Sequence, residues 1–208
     1  MAAADDLLVK KAQAGDKTAF GELVRRHQDQ VYSLTSRMLA SPEDARDAAQ
    51  EIFIKVYRSL PGFDFRSSFT TWLYKVATNF CLDLLRKQSR ERQRRSAWGD
   101  SNRGDINLPD IRPGPEELVI ARERVRELKQ AVRALPEDYR VALILHHYQG
   151  LSYQQIAGIL DISEKTVATR IHRAKRKLRE RMRGGAGDAV PESKEQPEPV
   201  SGWRMPIF

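Results

Sequence analysis

The sequence has one cysteine, Cys81, in 208 residues. A lone cysteine excludes an internal disulfide framework and fits a reducing compartment. Long apolar runs are also missing. The longest, Val141–Leu145, has five residues, whereas a membrane-spanning helix needs about 20. The N-terminus offers only Leu7, Leu8 and Val9 before Lys10 and Lys11, so no secretory core is expected. His27, His146, His147 and His172 have no metal-ligand spacing with one another or with Cys81. Neither a carboxylate cluster nor a Gly-rich phosphate loop is present. The expectation is a soluble intracellular chain with no metal, no cofactor and no membrane insertion. A nucleic-acid enzyme finds little support.

What the chain does have is charge, at 31% of residues and formally +8. Such a basic balance favours an anionic partner. The charge is not spread evenly. Residues 165–183 carry nine Lys/Arg against one acid, and residues 86–95 carry six against one. Residues 100–118 are net −3 and residues 184–208 net −2. A basic run can be no more than a solvated helix face. Two such blocks, each ending a helical stretch in a separate domain, fit a polyanion held at two points.

The apolar pattern has helical period nearly throughout. Helices are predicted over 4–14, 17–39, 42–60, 69–95, 116–134, 137–149, 152–160 and 164–183. Ser41-Pro42-Glu43-Asp44 supplies an N-cap, a proline at the first helical position and acids at the positive end of the dipole. Pro136-Glu137-Asp138 repeats the proline-plus-acid start, and Ser152-x-x-Gln155 is a capping box. Gly150 suits the end of the preceding helix. Residues 96–115 carry three Pro and three Gly and read as a linker. Residues 184–208 read as a flexible tail. The predicted architecture is all-α, with small helical domains at 1–95 and 116–183. Domains that small bury little surface, so a large stabilising partner fits them. The tail ends Trp203-Arg-Met-Pro-Ile-Phe208, either a plain end or a short docking motif for this chain's own domains or a regulator.

The sharpest motif spans Leu151–Leu178. A short helix bearing Ile156, Ala157 and Leu160 leads into the turn Asp161-Ile162-Ser163, with Ile162 as an apolar plug. The second helix places Val167, Ile171, Ala174 and Leu178 within one stripe about 60° wide. Lys165, Thr169, His172 and Arg176 project almost opposite, flanked by Ala168 and Arg173. A narrow buried seam backed by a broad basic face is what a helix-turn-helix recognition helix requires. From the major groove, Lys165, Thr169, Arg170, His172, Arg173 and Arg176 reach base edges or phosphates. Lys175, Lys177, Arg179, Arg181 and Arg183 suit phosphate contacts or plain solvation.

In the N-terminal half, helix 42–60 has a core stripe of Ala45, Ala49, Ile52, Val56 and Leu60. Its opposite face holds Asp47, Gln50, Glu51, Ile54 and Arg58. An apolar knob ringed by polar groups is either a lone exposed Ile or a partner-binding face. The next helix has a core stripe of Leu73, Val76, Ala77, Phe80 and Leu84. Trp72, Lys75, Asn79 and Arg86 form a separate stripe about 125° away. That stripe suits stacking on an unpaired base and holding its backbone, or else Trp72 is a partly buried packing residue. The loop 61–68, with Phe63, Phe65, Arg66 and Ser67, either cradles an extruded base or is an aromatic-anchored turn.

Three segments in order, 44–58, 69–79 and the helix-turn-helix, resemble bacterial RNA polymerase sigma factors of the extracytoplasmic-function (ECF) subfamily. The resemblance covers about residues 5–183. Longer sigma factors carry an extra helical domain where this chain has only 96–115. The resemblance implies a transcription initiation factor rather than an enzyme, cytoplasmic, with a sigma-2 domain, a linker and a sigma-4 domain. Asp47, Gln50, Glu51, Ile54 and Arg58 fall where the family docks on the clamp helices of core RNA polymerase. Phe63 through Ser67, including Arg66, fall with Lys75, Thr78 and Asn79 where it melts the −10 promoter element and pockets a flipped base. Trp72 supports that site, and Arg86 continues its stripe. Thr166, Ala168, Thr169, Arg170, His172 and Arg173 fall on the helix that reads the −35 element, with Lys165 and Arg176 on the same face. The acidic linker is similar to the segment that threads toward the polymerase active site. An anti-sigma factor is the implied regulator.

Reach is consistent with this division. A 20-residue linker extends at most about 66–72 Å, and two turns of duplex are about 68–72 Å. Two departures stand out. Many relatives have Arg where this chain has Ala168, and an aromatic where it has His172. One missing Arg removes a bidentate guanine contact of about 1–3 kcal/mol. The competing reading is a stand-alone helix-turn-helix regulator, which binds duplex DNA as a dimer on a palindrome. The sequence offers no evident dimer helix.

Overall fold

The structure is a computed structural model that describes residues 2–97 and 116–183. The described residues fold as α1 (Ala2–Gln13), α2 (Lys17–Met38), α3 (Pro42–Ser59), a 3-10 turn (Leu60–Gly62) and α4 (Phe69–Ala97), then α5 (Glu116–Arg133), α6 (Glu137–His147), α7 (Tyr153–Leu160) and α8 (Glu164–Arg183). The two domains expected from the helical pattern are α1–α4 and α5–α8. Nearly all of the linker expected at 96–115, and the tail at 184–208, lie outside the described residues.

The caps explain where helices begin. Asp16 accepts from the Thr18 and Ala19 backbone N–H groups to start α2, at 2.9 and 3.1 Å. Ser41 accepts from Glu43 and Asp44 N–H to start α3, with Pro42 next to it. The predicted helix over 137–149 stops earlier, at His147. The Gln149 N–H turns back to the Ile144 carbonyl at 3.3 Å, and Gly150 takes φ +66°, a left-handed conformation that glycine adopts without strain. Conversely, α4 runs two residues past the expected domain edge at 95.

In the N-terminal domain α1, α2, α3 and α4 close around Val31, Leu34, Ile52, Val56, Leu73 and Ala77, all at most 1% exposed. The α3 stripe read from the sequence is buried as expected, joined by Ala48 and Phe53. The α4 stripe is shifted. Val76, Phe80 and Leu84 are only half-buried, while Tyr74, Thr78 and Cys81 are buried. The reason lies outside α4, because its Tyr74 side meets the second domain. There the Tyr74 hydroxyl donates to Gln149 Oε1 at 2.7 Å, and the Arg37 guanidinium lies over the Tyr148 ring at 4.4 Å. One polar cluster fastens α1. His27 Nε2 and Asp5 Oδ2 stand 3.0 Å apart, both side chains nearly fully buried. The His27 ring meets the Phe69 ring at 5.3 Å.

The C-terminal domain buries Val141, Ile144, Leu145, Ile156, Val167 and Ile171, and these are continuous with the N-terminal core. A smaller cluster of Val132, Leu135, Leu143 and Ala174 ties α5 to α6 and α8. The shared core is not polar-perfect. Thr78 Oγ1 and Gln149 Nε2 are buried without a hydrogen-bond partner, each at a cost of about 1–3 kcal/mol.

Two expectations test this packing. Ile52, fully buried on α3, should cost about 2–5 kcal/mol when cut to Ala, read as a lowered denaturation midpoint with an unchanged slope. Burial pushes the Cys81 thiol up to about 12, so almost no thiolate forms near neutral pH in the native chain. A thiol-exchange reagent at pH 8 should leave Cys81 unmodified until denaturant is added; prompt reaction without denaturant would show that α4 does not pack this way.

Candidate nucleic-acid and partner interfaces

The helix-turn-helix is built from its caps. Ser152 Oγ accepts from Gln155 N–H at 3.2 Å, and the Ser152 N–H donates to Gln155 Oε1 at 2.9 Å, which closes the expected capping box. Asp161 ends α7 at φ +55°, in the left-handed region that a short polar side chain tolerates. The Ile162 N–H then bonds the Ala157 carbonyl at 3.1 Å. Ser163 Oγ accepts from Thr166 N–H at 3.2 Å and opens α8.

On α8 the buried stripe Val167, Ile171 and Ala174 fixes the helix rotation, with Leu178 half-buried beyond it. That leaves Lys165, Thr169, His172, Arg173 and Arg176 exposed on one face. Thr166, Ala168 and Arg170 are half-buried at its margin. The Thr166 hydroxyl pairs with Ser163 at 2.8 Å, and Thr169 Oγ1 donates back to the Lys165 carbonyl at 2.9 Å. Arg170 bonds Asp138 at 3.0 Å, and Arg173 reaches the Tyr139 hydroxyl at 3.4 Å. These two contacts from α6 hold two arginines in place, and no local sequence signal announces them.

On α3, Asp47, Glu51 and Arg58 are exposed, with Gln50 and Ile54 half-buried between them. Tyr57 extends this face at 44% exposure, its ring meeting Phe20 of α2 at 4.8 Å. Tyr57 falls three residues after Ile54, a spacing at which helical side chains are neighbours.

The expected single-strand site divides. Lys75, Asn79 and Arg86 are exposed along α4, and Arg66 and Ser67 are exposed in the loop. Arg66 pairs with Asp64 at 2.8 Å, and Arg86 with Asp83 at 3.5 Å. Three residues do not present themselves as expected. Phe63 is 5% exposed and Thr78 fully buried, so neither offers a side chain to a ligand. Trp72 is half-buried rather than on an open stripe, because its ring packs between Phe63 at 5.1 Å and Phe69 at 6.0 Å. The loop is an aromatic-anchored turn. Gln13 of α1 donates to the Leu60 and Phe63 carbonyls, both at 2.9 Å, and Phe65 sits at φ +61°, uncommon outside glycine. Asn79 and Arg86 line a groove of about 430 Å³ with Lys55, Leu82, Asp83 and Leu160 of α7. Among the described residues no group of three or more His, Cys, Asp or Glu is placed to hold a metal ion, and no helix is long and apolar enough to cross a membrane.

Comparison with known proteins places this geometry. Residues 23–91 match the family described as Sigma-70 region 2, and residues 125–178 match Sigma-70, region 4. The chain is 34% identical over 177 residues to "ECF RNA polymerase sigma factor SigW" of Bacillus subtilis (strain 168), covering 84% of this chain and 95% of that protein. It is 38% identical over 179 residues to "ECF RNA polymerase sigma-E factor" of Escherichia coli (strain K12), covering 82% and 90%. Among solved structures, the fold matches that of "the sigma factor RpoE in complex with the anti-sigma factor NepR from Bartonella quintana" with TM-score 0.58 and 23% identity, over 80% of this chain and 98% of that one.

Replacing Ser152 by Ala removes one side of the capping box. It should destabilise the C-terminal domain by about 0.5–2 kcal/mol, read as a lowered thermal midpoint. An unchanged midpoint would mean that the turn is held by its apolar plug alone.

Proposed function

The chain belongs to the ECF subfamily of bacterial sigma-70 factors, which are transcription initiation factors, and on that premise we propose how its surfaces divide the work. The reading is non-catalytic and cytoplasmic. The chain binds core RNA polymerase and directs it to promoters that carry −10 and −35 elements at a set spacing.

The observation that carries this reading is the rotation of α8. Its buried Val167–Ile171–Ala174 stripe leaves Lys165, Thr169, His172, Arg173 and Arg176 together on the open side. A helix presented so by a capped, left-handed turn fits the major groove. In this reading Thr169, His172 and Arg173 meet base edges, and Lys165 and Arg176 meet phosphates. Arg170, tied to Asp138, orients the margin together with Thr166 and Ala168. On α3, Ile54 is the apolar centre of the polymerase-docking face, with Asp47, Gln50, Glu51 and Arg58 as its polar rim. Arg66, Ser67, Lys75, Asn79 and Arg86 hold the melted −10 strand. Phe63 and Thr78 act from beneath, the first by holding Trp72 in place. The domain limits proposed are 1–95 for −10 and polymerase binding, 96–115 for the linker, 116–183 for −35 reading and 184–208 for the tail. By likeness to a sigma factor solved with its anti-sigma factor, an anti-sigma factor is the proposed regulator.

Transcription by reconstituted polymerase tests the assignment of faces. Thr169→Ala or Arg173→Ala should lower output from the cognate promoter by roughly 5–150-fold, corresponding to about 1–3 kcal/mol for a lost base contact. Each should lose the dependence on the −35 element while leaving binding to core polymerase intact. Ile54→Asp should do the reverse, weakening core binding first. Unchanged promoter output from both α8 variants at normal protein levels would sink the mapping.

A further inference from the structure

We propose that Gln13, the last residue of α1, is a positioning residue for −10 recognition: its side-chain amide fixes the loop 61–68 from outside, so that Arg66 and Ser67 meet the melted strand in one geometry. The proposal deepens the −10 role of that loop and rests on it.

A single amide makes the attachment. Gln13 Nε2 donates to the Leu60 and Phe63 carbonyls, both at 2.9 Å, across 47 and 50 positions. A side-chain amide nitrogen carries two N–H groups, and here each has its own carbonyl. Those carbonyls stand at the two ends of the 3-10 turn that follows α3. The turn is also closed from within, where the Phe63 N–H bonds the Leu60 carbonyl at 3.0 Å. The Phe63 carbonyl belongs to the peptide plane from which the rest of the loop departs, so a bond to it sets the direction of Asp64, Phe65 and Arg66. Lys10 lies three residues before Gln13, a spacing at which helical side chains are neighbours. Its ammonium stands 5.5 Å from the centroid of the Phe65 ring, within reach of a cation–π contact. The Phe65 ring in turn meets Phe63 at 4.9 Å. The end of α1 therefore holds both the entry of the loop and its middle.

The loop needs such support. Phe65 sits at φ +61°, a conformation that is unfavourable for a residue with a Cβ and persists where the surroundings impose it. Arg66 and Ser67 follow directly and are exposed. Arg66 pairs with Asp64 of the same loop at 2.8 Å, so that contact moves with the loop and does not anchor it. Side chains this far out take their position from the backbone beneath them. The anchor is itself well seated. Val9 and Ala12 of α1 are buried, and Asp5 meets His27 at 3.0 Å and Arg26 at 3.2 Å. Gln13 is thus an arm on a docked helix. Helix α1 packs on α2, α4 and this turn, whereas the −35 face lies on α8, so a change at Gln13 separates the two promoter elements.

The test uses the full chain bound to core polymerase and reads its affinity for a single-stranded oligonucleotide by fluorescence anisotropy. The oligonucleotide carries the non-template −10 sequence of a promoter that the chain transcribes, and a scrambled strand is the reference. Gln13→Met keeps the length of the side chain and removes both donors. It should lower the preference for the cognate strand by at least about fivefold, the factor of one net hydrogen bond, and speed amide exchange at Phe63. Gln13→Lys, which returns donors on a long stem, should recover part of the preference. Helicity, core binding and dependence on the −35 element should stay as in the wild type, which establishes that the variants are folded. Wild-type preference in folded Gln13→Met, or an equal loss on both strands, would overturn the positioning role. Arg66→Ala with Ser67→Ala tells the two readings apart. If that variant loses cognate affinity and Gln13→Met does not, the role of Gln13 alone is overturned. If neither loses it, the −10 role of the loop is overturned as well.

Discussion

A helix has one stripe to bury, and in this chain every other property follows from how that stripe is spent. Charge takes 31% of the residues and no disulfide is available, so each helix must commit its apolar positions to one side. What remains on the other side is then free for partners. On α8 the committed stripe is Val167, Ile171 and Ala174, and the remainder is a basic face. On α3 it is Ala45, Ala49, Ile52 and Val56, and the remainder is Ile54 among polar groups. The same arithmetic of helical rotation that builds the core therefore aims the surfaces.

α4 is the exception, because two neighbours compete for it. Its Leu73 and Ala77 side closes the N-terminal core, while Tyr74 faces the second domain and meets Gln149. Lys75 and Asn79 are left on the outside. A helix that buries two adjoining faces has little left to expose, and Asn79 and Arg86 sit beside Leu160 of the second domain. The Leu160 groove beside Asn79 and Arg86 is the visible result. Fold stability and the outward face of Lys75 and Asn79 draw on the same helix.

Much of this was legible in the sequence, for local reasons. Caps at Ser41 and Ser152 and the turn at Asp161 act within a few residues, and the helix limits they imply match the structure closely. The α8 seam and face follow from helical period alone. What was illegible was long-range. Nothing within a turn of Tyr74 announces Gln149, and nothing near Arg170 announces Asp138. Trp72 shows the limit of projection most clearly. Its angle on α4 sets it apart from the core stripe, yet the loop folds back and puts Phe63 against it at 5.1 Å. A helical wheel sees one helix, whereas burial is decided by every neighbour.

As an ECF sigma factor, this chain carries promoter specificity to a polymerase that lacks it. The direct measurement is transcription in vitro by purified core polymerase from a genomic promoter library, with and without the chain. The expected result is stable binding to core polymerase and new transcripts whose start sites share an upstream pair of elements about two duplex turns apart. Failure to bind core polymerase, with tight specific binding to duplex DNA by the chain alone, would contradict it and make the protein a stand-alone regulator.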